Sequence, residues 1–561
     1  MRLAVAMAGG LAAEADGGHA LVGGIGAALR RQIELNRSNN GDLAEAMEGL
    51  SLAAPAAAAD ADGWMAEPPA GCTVSALAAA PEGRGLLVGR WRAGEPPLLL
   101  YVSTADGDGD DDDDDDGSGG VEGEVAALQS LMAEVKEFDH QEFAADRKAE
   151  YWSAREEYDR RLGALLARVQ QDSLRHAAAL LLAAPVDAAA REAQAAVCAW
   201  AAQRVKRGGG GGGGGAKRGK GGGKGKAAAA AADGWAVHDG LLHAACEAAP
   251  ALDDATLDGA LAAALRPPGA AAAAAEALRA FRVELREAWA THGGAAEAVA
   301  SGARGPLVLV VDERLQALPW ESTPLLDGQP ACRLPSAEFV SSCDAGRAAL
   351  EAAAGGVRSD DAYFVLNPSG DLLRTQKTFE RRFRTPPWEG VVGERPEGEA
   401  LRAALRSKHL FVYCGHGHGS EVLLPPGEVR RLPRCSVSLL MGCSSGVLTP
   451  HGAMAPSGAP LDYLHASCPA LVANLWDVTD GDCDKLTTAL LDRAAAGGSL
   501  LAAVAHARAA CRLRYLTGAA AVCYGLPVAT LPRGDASVEE EAAAGKGGKK
   551  KAAKKGAKAA K

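Results

Sequence analysis

Five short apolar runs, Leu307–Val311, Tyr363–Leu366, Leu410–Tyr413, Val437–Met441 and Leu471–Leu475, recur through the second half of this 561-residue chain. Helical or polar segments separate them. Continuous apolar runs of this length, alternating with helices, are the pattern of parallel strands covered on both faces. The reading is therefore an α/β fold with a mainly parallel sheet flanked by helices. In such sheets the working residues sit beyond the carboxyl ends of the strands.

Upstream of Leu307 the texture is looser. The chain holds 69 Gly and only 4% aromatic residues, so much of its first half has little surface to bury. Gly24 to Leu50 has the spacing of an amphipathic helix. Cys72 to Val102 reads as two or three short strands in a meander, with Pro81-Glu82-Gly83 as a turn. Val121 to Gln170 is long enough for two amphipathic helices. Leu257 to Trp289 is helical with a break at Pro267-Pro268. The expected organisation is a helical and strand-rich segment over 1–120 ending in the acidic run Asp110–Asp116, and a helical region over 121–300 carrying a Gly/Lys-rich insertion at 206–232. An α/β domain over 301–530 and a Lys-rich tail over 531–561 follow.

The net charge of −12 is unevenly spread. The Asp run reads as a solvated loop. Arg204–Lys226 and Lys546–Lys561 are basic, and nucleic-acid contact or nuclear import is the functional reading of such stretches. Repeat expansion is the bland reading of the Gly run. The twelve cysteines show no paired spacing, which suggests reduced thiols of the cytosol or nucleus. No apolar stretch is long enough for a membrane span.

Two strand ends carry chemistry. The run from His409 ends at His416, between Gly415 and Gly417. The run from Ser436 ends at Cys443, followed by Ser444-Ser445-Gly446. On neighbouring strands, both side chains would leave the same sheet edge, where an imidazole activates a thiol as nucleophile. The amides of Gly417 and Cys443 are natural donors to an oxyanion. Against this stands the ordinary role of a strand-ending cysteine, an inert core thiol. Cys414, His416 and His418 lack a further ligand at metal-site spacing. Ser444 and Ser445 do not form a nucleophile-elbow motif. The last run continues Asn474-Leu475-Trp476-Asp477-Val478-Thr479-Asp480. Asp477 beside Trp476 either lines a pocket for a basic side chain or caps the next helix.

Taken together these blocks resemble the separases, caspase-like cysteine proteases that open cohesin rings. Gly415–Gly419 is similar to the family's catalytic-histidine loop, and Leu439–Gly446 to its catalytic-cysteine block. Leu318–Ser322, Arg333–Ser336, Leu366–Leu372, Trp388–Gly390, Asn474–Asp480 and Cys511–Ala520 look familiar in the same order. A weaker resemblance covers Cys72–Leu100 and the helix with Tyr151, Trp152, Arg155 and Asp159, similar to the substrate-binding region before the core.

The resemblance implies a caspase-like fold and a Cys443–His416 dyad that needs no triad carboxylate, no cofactor and no metal. It implies cleavage after Arg, with Asp477 in the acidic pocket beside Trp476 and Asp480 as second choice. It implies the kleisin subunit of cohesin as substrate, a securin-like inhibitor as partner, and residence in cytoplasm and nucleus. The long N-terminal superhelix usual in the family is nearly absent from this sequence, which bears on inhibitor binding. A non-catalytic binding module and a caspase-like protease with another substrate are the competing readings.

Overall fold

The computed structural model describes residues 68–80, 85–103, 120–139, 147–206, 235–267, 271–337, 339–385, 388–451 and 454–532. The expected helix at Gly24–Leu50, the turn at Pro81-Glu82-Gly83, the Asp run, most of the Gly/Lys insertion and the Lys tail lie outside the described residues. The chain divides into two compact units, Met1–Val340 and Ser341–Lys561.

In the N-terminal unit, β1 (Thr73–Ala79), β2 (Gly85–Trp91) and β3 (Leu98–Ser103) form the antiparallel meander expected from their apolar content. The other edge of β1 pairs in parallel with β4 (Leu307–Val311), and β4 with β5 (Ala331–Leu334). The first apolar run, β4, thus hydrogen-bonds directly to the meander, and β5 hydrogen-bonds to β4. Strand β5 escaped the sequence reading because Arg333 interrupts its apolar run. Arg333 is fully buried, and its guanidinium donates to the equally buried Glu321 through Nε at 2.7 Å and through Nη2.

Helices α1 (Val121–Asp139) and α2 (Lys148–Arg168) are the two predicted from Val121–Gln170. Leu128, Leu131 and Val135 of α1, and Leu162, Leu165 and Leu166 of α2, bury one stripe at helical spacing. Helices α3 (Ala188–Lys206), α4 (Asp239–Ala248), α5 (Asp254–Ala264), α6 (Ala271–Ala290) and α7 (Gly294–Ser301) complete this unit. The break anticipated at the proline pair falls between α5 and α6, where Leu265–Arg266 pairs briefly with Ala236–Val237. Among the described residues, no helix is long and apolar enough to cross a membrane.

The C-terminal unit is built on β6 (Ala362–Leu366), β7 (Glu389–Val392), β8 (Leu410–Cys414), β9 (Val437–Leu440), β10 (Ala470–Asn474) and β11 (Ala521–Gly525), in the spatial order β7-β6-β8-β9-β10-β11. The first five are parallel and β11 runs antiparallel to β10. Every residue of β6, β8, β9 and β10 is buried. Fully burying a large apolar side chain contributes about 1.5–3 kcal/mol, so these runs are a main source of the unit's stability. Strand β7 was missed because it is a half-exposed edge of mixed polarity, and β11 because Ala and Gly bound its three larger residues.

Helices α8 (Leu373–Phe383), α9 (Gly398–Ser407), α10 (Ala459–His465), α11 (Asp480–Ala495) and α12 (Leu500–Arg508) accompany the strands. Helix α8 buries Thr375, Phe379 and Phe383 at four-residue spacing. Phe383 lies 5.1 Å from Phe364 of β6 and stacks 4.9 Å from Trp388. Those contacts pack the C-terminal end of α8 against β6 and the start of β7. The fold is of the α/β class, a mainly parallel sheet flanked by helices.

Candidate active site

Strands β8 and β9 are neighbours, with Val412 opposite Leu439. His416 lies just past the end of β8 and Cys443 just past the end of β9, so both leave the same edge. They line one pocket together with Thr375, Val478, Asp480 and Asp484. Of the twelve cysteines, all within the described residues, eleven are buried and Cys443 alone is not. The other eleven are core thiols by burial, though the Cys246 thiol and then His243 pull the pKa of Cys198 down to about 6.

The two loops are held by their own backbones. Tyr413 donates its hydroxyl to the His416 carbonyl at 2.6 Å. Gly417 adopts φ +56°, a conformation that favours glycine. Gly442 sits where the loops touch: a Cβ there would lie 1.9 Å from the Gly417 carbonyl oxygen and 2.7 Å from that of Gly415. Beyond Cys443, the Ser444 amide donates to the Trp476 carbonyl at 3.1 Å and the Gly446 amide to the Asn474 carbonyl at 2.7 Å. The Asn474 side chain donates to the Gly442 carbonyl at 3.1 Å, and Ser445 Oγ donates to the Leu440 carbonyl at 2.6 Å. Ser445 is thus a buried brace.

The Cys443 thiol donates to the Val478 carbonyl at 3.4 Å. Burial raises its pKa above the ordinary thiol value, and the carboxylates of Asp477 and Asp480 push the same way. The group is a neutral thiol at pH 7, so chemistry here needs a base to take the proton as the sulfur attacks. His416 Nε2 lies 3.1 Å from Asp371 Oδ2, in the loop that follows β6.

The acidic residues separate by role. Asp477 is exposed and its Oδ1 accepts from Ser444 Oγ at 2.5 Å. Thr479, not Asp477, is the N-cap of α11, and the pocket lining includes Val478 and Asp480 on either side of it. Trp476 is buried, its indole N–H donating to the Leu516 carbonyl at 2.8 Å, and it stands outside the pocket lining. Asp480 opens α11 and faces the pocket. One turn on, Asp484 is only 8% exposed, and its Oδ2 has no hydrogen-bond partner. Burial raises its pKa and Asp480 adds to the rise, while the Thr375 and Thr378 hydroxyls and Arg374 pull it down. A buried carboxylate oxygen without a donor is costly to keep, and a cationic group entering the pocket would satisfy it.

Asp484 and Asp371 were missed from sequence. Asp480 and Asp484 stand at i and i+4, a like-charge pair on one helix face that weakens a helix unless something else uses it. Asp371 lies a few residues past the end of β6, on the same carboxyl edge that drew attention to His416 and Cys443. Cys414 is buried at the end of β8 while His416 and His418 are exposed. Among the described residues, no group of three His, Cys, Asp or Glu side chains could hold a metal ion.

This architecture and its edge pocket define an α/β domain of the caspase-like class. Residues 81–483 match the family model described as separin, protease domain, and the chain belongs to that family. It is 44% identical over 228 residues to separin of Mus musculus, covering 40% of this chain and 11% of that protein. It is 40% identical over 260 residues to separin of Emericella nidulans, covering 44% of this chain and 12% of that protein. The fold is similar to the Saccharomyces cerevisiae separase in crystal structures of its securin complex. The TM-score is 0.63 at 22% identity, over 82% of this chain and 30% of that one. The chain spans about an eighth of the length of the curated relatives it matches.

Proposed function

We propose that this chain is a thiol endopeptidase that cleaves after arginine, with Cys443 as nucleophile and His416 as general base. The observation that carries the reading is one pocket lined by a thiol at the sheet edge, an imidazole and a buried carboxylate with one oxygen, Asp484 Oδ2, left without a donor. An Arg side chain entering it would bring a guanidinium to Asp484, with Asp480 near the mouth. A planar guanidinium can bond a carboxylate through two N–H groups, which an ammonium cannot, so Arg is favoured over Lys.

In the reaction, the thiol gives up its bond to the Val478 carbonyl and His416 takes its proton. The sulfur attacks the scissile carbonyl carbon, and the amides of Gly417 and Cys443 stabilise the oxyanion. Collapse breaks the C–N bond, the protonated His416 supplies the proton to the leaving amine, and a thioester remains. Water, deprotonated by His416, resolves the thioester and restores the thiol.

The substrate we assign by family is the kleisin subunit of cohesin, and the inhibitor a securin-like chain, since the similar Saccharomyces cerevisiae structures are separase–securin complexes. The work would be done in cytoplasm and nucleus. A fluorogenic peptide ending in Arg before the reporter tests the chemistry. Release of the reporter that ends with Cys443→Ser supports it. Cleavage surviving that change, or equal cleavage after Lys and Arg, overturns it.

A further inference from the structure

We propose that Asp371 is a positioning residue for His416: its carboxylate holds the proton on Nε2, so that Nδ1 presents its lone pair for the thiol of Cys443. The proposal rests on the protease reading above and adds a third member to a site expected to need two.

The contact is 3.1 Å from His416 Nε2 to Asp371 Oδ2. An ionised carboxylate only accepts hydrogen bonds, so the ring nitrogen that faces it carries the proton and the other nitrogen is the base. The side chains are 55% and 62% exposed. Two floppy surface groups would hold such a geometry poorly, but here both backbones are tied down. Asn367 is fully buried and adopts φ +51°, a left-handed conformation that Asn tolerates better than most residues. Its amide donates to the Cys414 carbonyl at 2.8 Å, which links this loop to the strand carrying His416. Its Oδ1 accepts from the Leu372 amide at 2.8 Å, and its Nδ2 donates to Gln376 Oε1 at 2.8 Å. The Gly370 amide donates to the Asn367 carbonyl at 3.0 Å, and the Leu373 amide to the Asp371 carbonyl at 3.0 Å. Asp371 is therefore bracketed by bonds on both sides, and His416 is anchored through Tyr413.

The same carboxylate stabilises the imidazolium that forms once the thiol proton has moved. Solvent screens so exposed a pair, so its effect is that of an orienting group: about 10- to 100-fold in rate, and far less than the loss of His416 itself.

The test compares Asp371→Ala and Asp371→Asn on the Arg peptide, with Cys443→Ser as control. Asp371→Ala is expected to lower kcat by about 10- to 100-fold with KM within about twofold. Asp371→Asn should recover most of that loss, because its amide oxygen still accepts from Nε2–H. In ¹⁵N-histidine-labelled protein, with His416→Gln to assign the signal, the wild type should show the Nε2–H tautomer and Asp371→Ala a mixture. An unchanged kcat, a change confined to KM, or an unaltered tautomer in Asp371→Ala overturns the proposal. If Cys443→Ser still cleaves, or the wild type does not, the protease reading falls, and the nitrogen spectrum alone decides whether Asp371 fixes the ring.

Discussion

Ser444 donates its hydroxyl to the Asp477 carboxylate at 2.5 Å, so the acid beside Trp476 is engaged by the residue that follows Cys443. Ser444 sits at φ +52°, and the bond to Asp477 helps hold that turn. The pocket is left to Asp480 and Asp484. Asp484→Asn should raise KM for an Arg peptide by about 10- to 100-fold, the value of a hydrogen bond to a charged group. Asp477→Asn should change it by about threefold at most. Steady-state kinetics on the two variants decides, and a larger KM effect at Asp477 would return that residue to the specificity role.

The pH dependence of binding follows from the raised pKa of Asp484. A guanidinium favours the ionised carboxylate, so Arg binding is strongest above that pKa and weakens as pH falls through it. Because the value is raised, KM should begin to climb at a higher pH than an ordinary aspartate would give. A pH series of KM checks this. In Asp484→Asn the climb should disappear.

Cys443 should react slowly with a small electrophile at neutral pH, because burial and the two nearby carboxylates disfavour its thiolate. Removing one negative charge stabilises the thiolate, so Asp480→Asn should shift the midpoint of iodoacetamide alkylation to lower pH. The rate at pH 8 should rise. A midpoint that stays or moves up would show that Asp480 does not act on the sulfur.

Gly442→Ala tests how closely the two loops must pack. Its Cβ would collide with backbone oxygens, which cannot swing aside as a side-chain tip does. The loops would separate, and a displacement near 1 Å costs about 100-fold in rate. Gly427→Ala, whose Cβ meets nothing within 4 Å, is the control and should be silent. Peptide cleavage and thermal unfolding on both variants give the comparison.

In the N-terminal unit, the buried pair Arg333–Glu321 makes a stability prediction. Arg333 also donates to the carbonyls of Gln316 and Leu318 at 2.7 and 2.9 Å. Glu321→Ala would strand a buried cation and should cost about 3–5 kcal/mol in urea unfolding. A loss under about 1 kcal/mol would mean that water reaches the guanidinium.

The same pair shows where sequence reading stops. A charge inside an apolar run looks like the end of a strand, and only the fold reveals that a second charge twelve residues away in sequence neutralises it. His416 and Cys443 were legible because each follows an uninterrupted apolar run, and the register of β8 and β9 brings those runs side by side. Asp484 was illegible because a helical carboxylate reads as a solvated face, and its burial depends on Thr375 and its helix, which pack from another part of the chain. Trp476 and Asp477 were read into the pocket from their place at a strand's carboxyl end and from the resemblance of Asn474–Asp480. The structure adds what that reading could not supply, the bond from Ser444 at its left-handed turn and the indole bond to Leu516.

Eleven thiols shut inside the protein and one at the sheet edge give the folded chain a single address for a soft, small electrophile. A mass spectrum after labelling to completion at alkaline pH, where the thiolate forms, would therefore count folded molecules, one adduct each. Chains that have come apart would declare themselves by carrying many.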